Sequence, residues 1–283
     1  MNVMRKHLLG LLALSALGLF GCEKATTVSV PMRAERLEHI VSLSPSTSEI
    51  MGITSINFEG RTKACNYPQL VLSKTVYGDL KPNYEAITKD RTQLVVFDSE
   101  LYSDEDKVKL KSTGAKLYEF KATTINDFEK EMLTLGSLVG SETNIQQYVD
   151  RIRRSRREAE GDAPPKKMKS VLILPGTGGS HMIAGTKSFQ AEIMRVIGTE
   201  PLGPDTAKFE TLTPEFLFQA NPDVIIVAGE AKFFLADTRF ANLEAVKNLN
   251  VFGNNQDMWV RRGGRVDNLI DQAHKALMLV IKK

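Results

Sequence analysis

The chain has 283 residues, 42% of them hydrophobic and 25% charged, with a formal net charge of +3 and a sequence pI of about 8.7. That length allows one large or two modest globular domains, and the composition is that of a folded chain, which excludes disordered and fibrous classes. The charge balance gives no indication of nucleic-acid binding, and two cysteines are too few for a disulfide-stapled scaffold.

At the start, Arg5 and Lys6 precede an apolar run from Leu8 to Phe20 that ends at Gly21-Cys22. This is the charged and apolar pattern of an export signal, too short for a comfortable membrane span. Leu19-Phe20-Gly21-Cys22 resembles the lipobox of bacterial lipoproteins, in which cleavage leaves the cysteine, here Cys22, as a lipidated N-terminus. A plain secretory signal and an uncleaved anchor are the alternatives. Two kinds of acyl attachment would bury enough methylenes for durable anchoring. Removal of residues 1–21 takes away Arg5 and Lys6, so the formal charge falls from +3 to +1. Cys65 is then the one thiol besides the lipidated position, which leaves no partner for an internal disulfide and no Cys-based metal site. Residues 1–22 are thus read as signal and lipobox, and residues 23–36 as a polar, Pro-containing tether.

Residues 37–140 read as a first α/β lobe. His39 to Leu43 is a short β-rich run, followed by Ser44-Pro45-Ser46-Thr47-Ser48-Glu49, a turn and helix start. Such hydroxyls can cap the helix or, with the free N–H groups, face a ligand, and capping is the simpler reading. Gly60 to Pro68 is a loop carrying Arg61, Lys63 and Tyr67, and Tyr77 to Glu85 is a second loop running into a helix. Gln93–Phe97 and Lys116–Phe120 are strands on either side of a charged helix from Ser103 to Thr113. Alternation of strands and helices argues for a parallel sheet covered by helices.

From Thr124, Phe128, Met132, Leu135 and Val139 recur at helical period, and Gly140-Ser141 breaks the pattern. Ile145, Tyr148, Val149 and Ile152 resume it before arginines 151, 153, 154, 156 and 157 make the helix mostly polar. About twenty helical residues span roughly 30 Å. A half-solvated connecting helix over residues 141–163 is expected, joining the first lobe to a second over residues 164–283.

In the second lobe, the strand Ser170–Leu174 runs into Pro175-Gly176-Thr177-Gly178-Gly179-Ser180-His181. That spacing fits neither nucleotide-binding glycine loop. Lys187 precedes a helix, Pro214-Glu215 opens another, and Val224–Val227 is a buried-type strand. The two lobes echo each other here: Glu85 precedes Leu94, and Glu215 precedes Val224, by the same nine residues. Each glutamate sits in a helix first turn, where the helix dipole favours it. Two related halves explain the shared plan.

The run His39-Ile40-Val41-Ser42-Leu43-Ser44-Pro45-Ser46-Thr47-Ser48-Glu49-Ile50 resembles the opening of the periplasmic binding proteins for vitamin B12, ferric siderophores and haem. Gly60-Arg61-Thr62 with Cys65-Asn66-Tyr67-Pro68 is similar to a signature loop of the B12 branch, with Asn66 where that branch has Asp. The Val260-Arg261-Arg262-Gly263-Gly264-Arg265 loop fits the late loop of the family, with Gly263-Gly264 in place of a proline. The resemblance covers roughly residues 37–283. It implies two α/β lobes with parallel-type sheets on a single long backbone helix, closing little on binding, with the ligand between them. It further implies docking on the permease and ATPase complex of an ABC importer, with Glu85 and Glu215 as the docking carboxylates.

A cleft between lobes is a favoured ligand site. The expected ligand-facing residues are Ser46, Arg61, Lys63, Tyr67, Tyr77, His181, Lys187, Phe209, Trp259 and Arg265, with Arg262 beside them. Aromatic rings offer flat surface to a macrocycle, and the cations suit carboxylate, phosphate or catecholate. The ligand expected is a metal chelate, a corrinoid or a ferric siderophore, with haem the third choice. No resident cofactor or bare-metal site is expected, since His39, His181 and His274 fall in separate segments. The sequence thus reads as a monomeric, exported and lipid-anchored binding protein with no nucleic-acid partner. An enzyme acting between the lobes is the alternative of a different class, but no Ser/His/acid set or paired-carboxylate motif supports it. A structural surface lipoprotein is the third.

Overall fold

The structure, a computed structural model, describes residues 37–79 and 81–282. The signal, the lipobox with Cys22, and the tether lie outside these residues. The first sheet is built from β1 (Ile40–Ser42), β2 (Gly60–Arg61), β3 (Thr75–Val76), β4 (Leu94–Asp98) and β5 (Lys116–Phe120), in the order β3-β2-β1-β4-β5. Every pairing in it is parallel. Helices α1 (Pro45–Ile53), α2 (Tyr84–Lys89) and α3 (Asp104–Ser112) make the crossovers. The β4 sequence Leu-Val-Val-Phe-Asp is buried at all five positions, the continuous apolar run required of a strand with both faces covered.

Two helices follow, α4 (Ile125–Val139) and α5 (Glu142–Gly161). Thr124 caps the first, accepting from Asp127 N at 3.1 Å. Gly140 ends it in the left-handed region, φ 67°, where a Cβ is disfavoured.

The second sheet contains β6 (Met168–Leu174), β7 (Met182–Ala184), β8 (Thr199–Pro201), β9 (Phe209–Thr211), β10 (Val224–Ala228) and β11 (Val251–Asn254). Its order is β11-β10-β6-β7-β9, with β8 also on β6. Strands β11, β10, β6 and β8 pair in parallel. The β7 pairings with β6 and β9 are antiparallel. The glycine-rich turn explains the reversal: Gly178 and Gly179 have φ of 63° and 76°, and the segment between the strands is too short for a helical crossover. Helices α6 (Phe189–Val196), α7 (Pro214–Ala220), α8 (Ala231–Leu235), α9 (Glu244–Lys247), α10 (Gln256–Val260) and α11 (Val266–Ile281) complete the fold.

The halves share their register. Val41 pairs with Val95, and Val171, 130 residues beyond Val41, pairs with Ile225, 130 beyond Val95. Helices α2 and α7 precede the paired strands in both, each with its glutamate exposed.

The arginine-rich α5 is half-solvated, as its polar composition suggests, and its other face is packed. It buries Ile145, Tyr148, Val149, Ile152, Ser155 and Ala159. Gly136 of α4 meets Ile145 so closely that a Cβ there would lie 3.0 Å from the Ile145 side chain. On the other flank, Tyr148 Oη donates to Gly263 O at 2.8 Å and accepts from Val266 N at 3.1 Å. Arg151 and Arg153 are drawn onto Asp267 (2.9 Å) and Glu129 (2.7 Å) of the neighbouring helices. One hydrophobic cluster therefore runs from Val96 of the first sheet through Phe128 and Ile152 to Leu172 and Ile226 of the second.

Candidate ligand-binding cleft

In parallel sheets the loops after the strands carry ligand sites, because helix N-termini and free backbone groups converge there. Here the segments after β1, β4 and β5 face those after α10. They enclose a cavity of about 300 Å³ whose lining includes Ser46, Asp98, Glu100, Thr123, Gln190 and Arg262. A second cavity of about 1150 Å³ lies at the ends of β6, β10 and β11, lined by Pro175–Gly179, His181, Gly229, Glu230, Phe233, Asp237, Arg239 and Asn254–Gln256 among others. Gln256 and Asp257, consecutive on α10, line the larger and the smaller cavity respectively.

The hydroxyls of the first turn are spent on structure. Ser44 Oγ caps α1 by accepting from Thr47 N at 3.3 Å, and also accepts from Asp98 N at 3.1 Å. Ser42, Thr47 and Ser48 hydrogen-bond among themselves at 2.6 and 2.8 Å. Ser46 alone of these serines lines the cavity.

His181 lines the larger cavity but is 2% exposed. Its Nδ1 accepts from Gly176 N at 3.4 Å, and its Nε2 lies 3.3 Å from Asp237 Oδ2. The ring sits against Phe234 and Phe240 at 5.5 and 6.0 Å between centroids. Arg239 donates from Nε to both Asp237 oxygens at 2.9 and 3.0 Å, and this hydrogen bonding holds the Asp237 carboxyl down at about 2.

The late loop is pinned to the first half. Arg262 is 6% exposed, donating to Asp98 Oδ1 at 2.5 Å and to Ala122 O at 2.7 Å. Glu49, 1% exposed, accepts from Arg265 at 2.8 and 2.9 Å and from Arg261 at 3.5 Å. The Gly263-Gly264 pair follows from this approach, since a Cβ on either would come within 2.8 Å of Glu49 atoms.

Several residues expected at the ligand lie elsewhere. Trp259 is 1% exposed in the core, because the apolar face of α10 packs inward. Tyr77 belongs to the core of the first half, donating to Asp90 at 2.8 Å. Phe209 packs half-buried against the main core. Arg61 donates to the carbonyls of Thr62, Cys65 and Leu72, so it braces its own loop. Lys63 and Lys187 are exposed and paired with Asp79 at 3.3 Å and Asp205 at 2.8 Å. Tyr67 supports the late loop, with the Arg265 guanidinium 4.1 Å from its ring centroid. Of the expected set, Ser46 and His181 line the cavities, as does Arg262, expected beside them. Asp98, Glu100, Phe233 and Gln190 were not anticipated. Asp98 lies one residue beyond the strand read as Gln93–Phe97, and no sequence motif covers Phe233.

A family model described as "Periplasmic binding protein" matches residues 40–257. The chain belongs to the periplasmic binding protein family. Members of this family are the substrate-binding proteins that serve ABC importers, on the periplasmic or extracellular side. The chain is similar to the Fe(3+)-citrate-binding protein YfmC of Bacillus subtilis, 22% identical over 253 residues, covering 86% of this chain and 79% of that one. Its fold is shared with the periplasmic haem-binding protein BhuT in complex with two haems, at a TM-score of 0.74 and 16% identity, covering 86% and 98% of the two chains. The vitamin B12 binding protein BtuF of Vibrio cholerae superposes at 0.74 with 17% identity, over 87% and 99%. In this periplasmic binding protein, Glu85 and Glu215 are both exposed in helix first turns, and Asn83 and Thr213 cap those helices. Among the described residues no helix is long and apolar enough to cross a membrane.

Proposed function

We propose that this periplasmic binding protein captures a bulky metal-chelate nutrient in the cleft and delivers it to the permease of an ABC importer. The observation that carries this reading is the cavity of about 1150 Å³ at the carboxyl ends of β6, β10 and β11. That volume is above the usual range of about 300–1,000 Å³ for small-molecule sites and suits a macrocyclic ligand. Relatives named for Fe(3+)-citrate, haem and vitamin B12 support the chelate class. A corrinoid is the first choice, with ferric siderophore and haem as alternatives. The metal arrives within the ligand, with no resident cofactor. Glu85 and Glu215 are the proposed docking carboxylates, exposed and equivalent in the two halves. The protein works as a monomer without turnover, held to the membrane through lipidated Cys22.

Titration of the purified full-length chain in detergent with cobalamin, haem and a panel of ferric siderophores tests capture by calorimetry. One-to-one saturable binding without chemical change in the ligand is expected. Turnover of a bound chelate would favour an enzyme instead. Mass spectrometry of the N-terminal peptide tests the anchor: a diacylglycerol adduct on Cys22 is expected, and an unmodified cysteine counts against it.

A further inference from the structure

We infer that the cleft selects a chelate bearing no net negative charge, an uncharged or cationic macrocycle in preference to a polycarboxylate or a catecholate complex. This rests on the capture reading above and narrows its substrate class. Side chains lining the two cavities include the five carboxylates of Asp98, Glu100, Glu230, Asp237 and Asp257. Against them stand the three guanidiniums of Arg239, Arg261 and Arg262 in the lining and, just outside it, the Lys232 ammonium paired with Glu230, four cations to five carboxylates.

Each guanidinium is already committed. Arg262 holds Asp98 and lies 3.2 Å from Glu100. Arg261 lies 3.0 Å from Asp257 and 3.5 Å from Glu49. Arg239 is engaged on Asp237 and also donates to Gly179 O at 2.7 Å. An anionic ligand recruiting one of these cations would strip a carboxylate of its partner, which is costly wherever that carboxylate is buried. A ligand that leaves the pairs intact meets a lining with more negative than positive groups, which repels carboxylates in a partly desolvated site.

Neutral edges meet no such obstacle. Ser46, Thr123, Gln190, Asn255 and Gln256 supply uncharged donors and acceptors along the lining. Phe233 and Leu101, 57% and 55% exposed, add apolar surface for the face of a ring system.

The test is competitive calorimetry on the full-length chain with cyanocobalamin, which has no net charge, haem, which carries two carboxylates, and ferric citrate. Cyanocobalamin is expected to bind at least about tenfold more tightly than either anion at low ionic strength, with the gap shrinking as salt rises. The Glu230→Gln/Asp257→Asn double variant, which removes one carboxylate from each cavity, is expected to tighten haem and ferric citrate several-fold. Tightest binding of an anion by the wild-type chain overturns the charge inference and leaves chelate capture standing. Failure of the double variant, folded by circular dichroism, to tighten either anion overturns the electrostatic cause. Absence of binding by every chelate defeats the capture reading itself, and this inference with it.

Discussion

Glu49 shows how one side chain can hold two distant pieces of chain. It sits in α1, 1% exposed, and takes Arg265 through both oxygens while Arg261 approaches the second. A buried carboxylate is tolerable only with such partners, and removing it leaves two guanidiniums short of an acceptor. Glu49→Ala is expected to cost about 3–5 kcal/mol, read from urea denaturation midpoints. Asp237 supplies a pH signature. Arg239 holds its folded-state pKa at about 2, below the ordinary aspartate value. A depressed carboxylate contributes stability that is present above the unfolded pKa and lost as pH falls through the folded one. Wild-type stability should therefore fall more steeply than that of Asp237→Asn between about pH 4 and pH 2. Parallel thermal melts across that window check the difference, and equal slopes would show that the pair adds nothing.

At the scale of elements, the contact between α4 and α5 depends on the absence of a side chain at Gly136, where an added Cβ would meet Ile145 at 3.0 Å. Gly136→Val is expected to destabilise the chain by about 1–3 kcal/mol through overpacking, measured by denaturant titration. The amphipathic pattern of α4 and its Thr124 cap were legible in the sequence, because both are set by residues within one helical turn. The course of α5 was harder to read. Its arginines stay largely solvated, yet Asp267 and Glu129, on α11 and α4, pair with two of them, and those partners lie far away in sequence. The antiparallel β7 is equally hard to read, since a glycine-rich turn after a strand resembles a phosphate loop and does not by itself signal the reversal it imposes on the next strand.

The whole molecule has two halves with matching register, each presenting one glutamate on an exposed helix start. If both dock on permease cations, Glu85→Arg and Glu215→Arg should each abolish uptake in cells while ligand affinity stays within about twofold, since neither residue lines either of the two cleft cavities. Uptake assays paired with calorimetry separate docking from capture. Unchanged uptake in both variants would remove these residues from the interface. The late loop joins the halves through Arg261, Arg262 and Arg265, all bound to groups of the first half.

The sequence by itself determined the apolar strands β1, β4, β5, β6 and β10, the amphipathic helices with their caps, and the repeat of the two halves. These depend on periodicity and on neighbours a few residues away. It also named Ser46, His181 and Arg262, which line the cavities. Tertiary structure decided which charges remain free and which rings stay exposed. Arg265 meets Glu49 across 216 residues and Arg262 meets Asp98 across 164, so neither pairing leaves a local signal. Trp259 looked available beside an arginine-rich loop, and only the packing of α10 puts it in the core. Burial and ion pairing are properties of surfaces brought together by folding, and residue type alone does not record them.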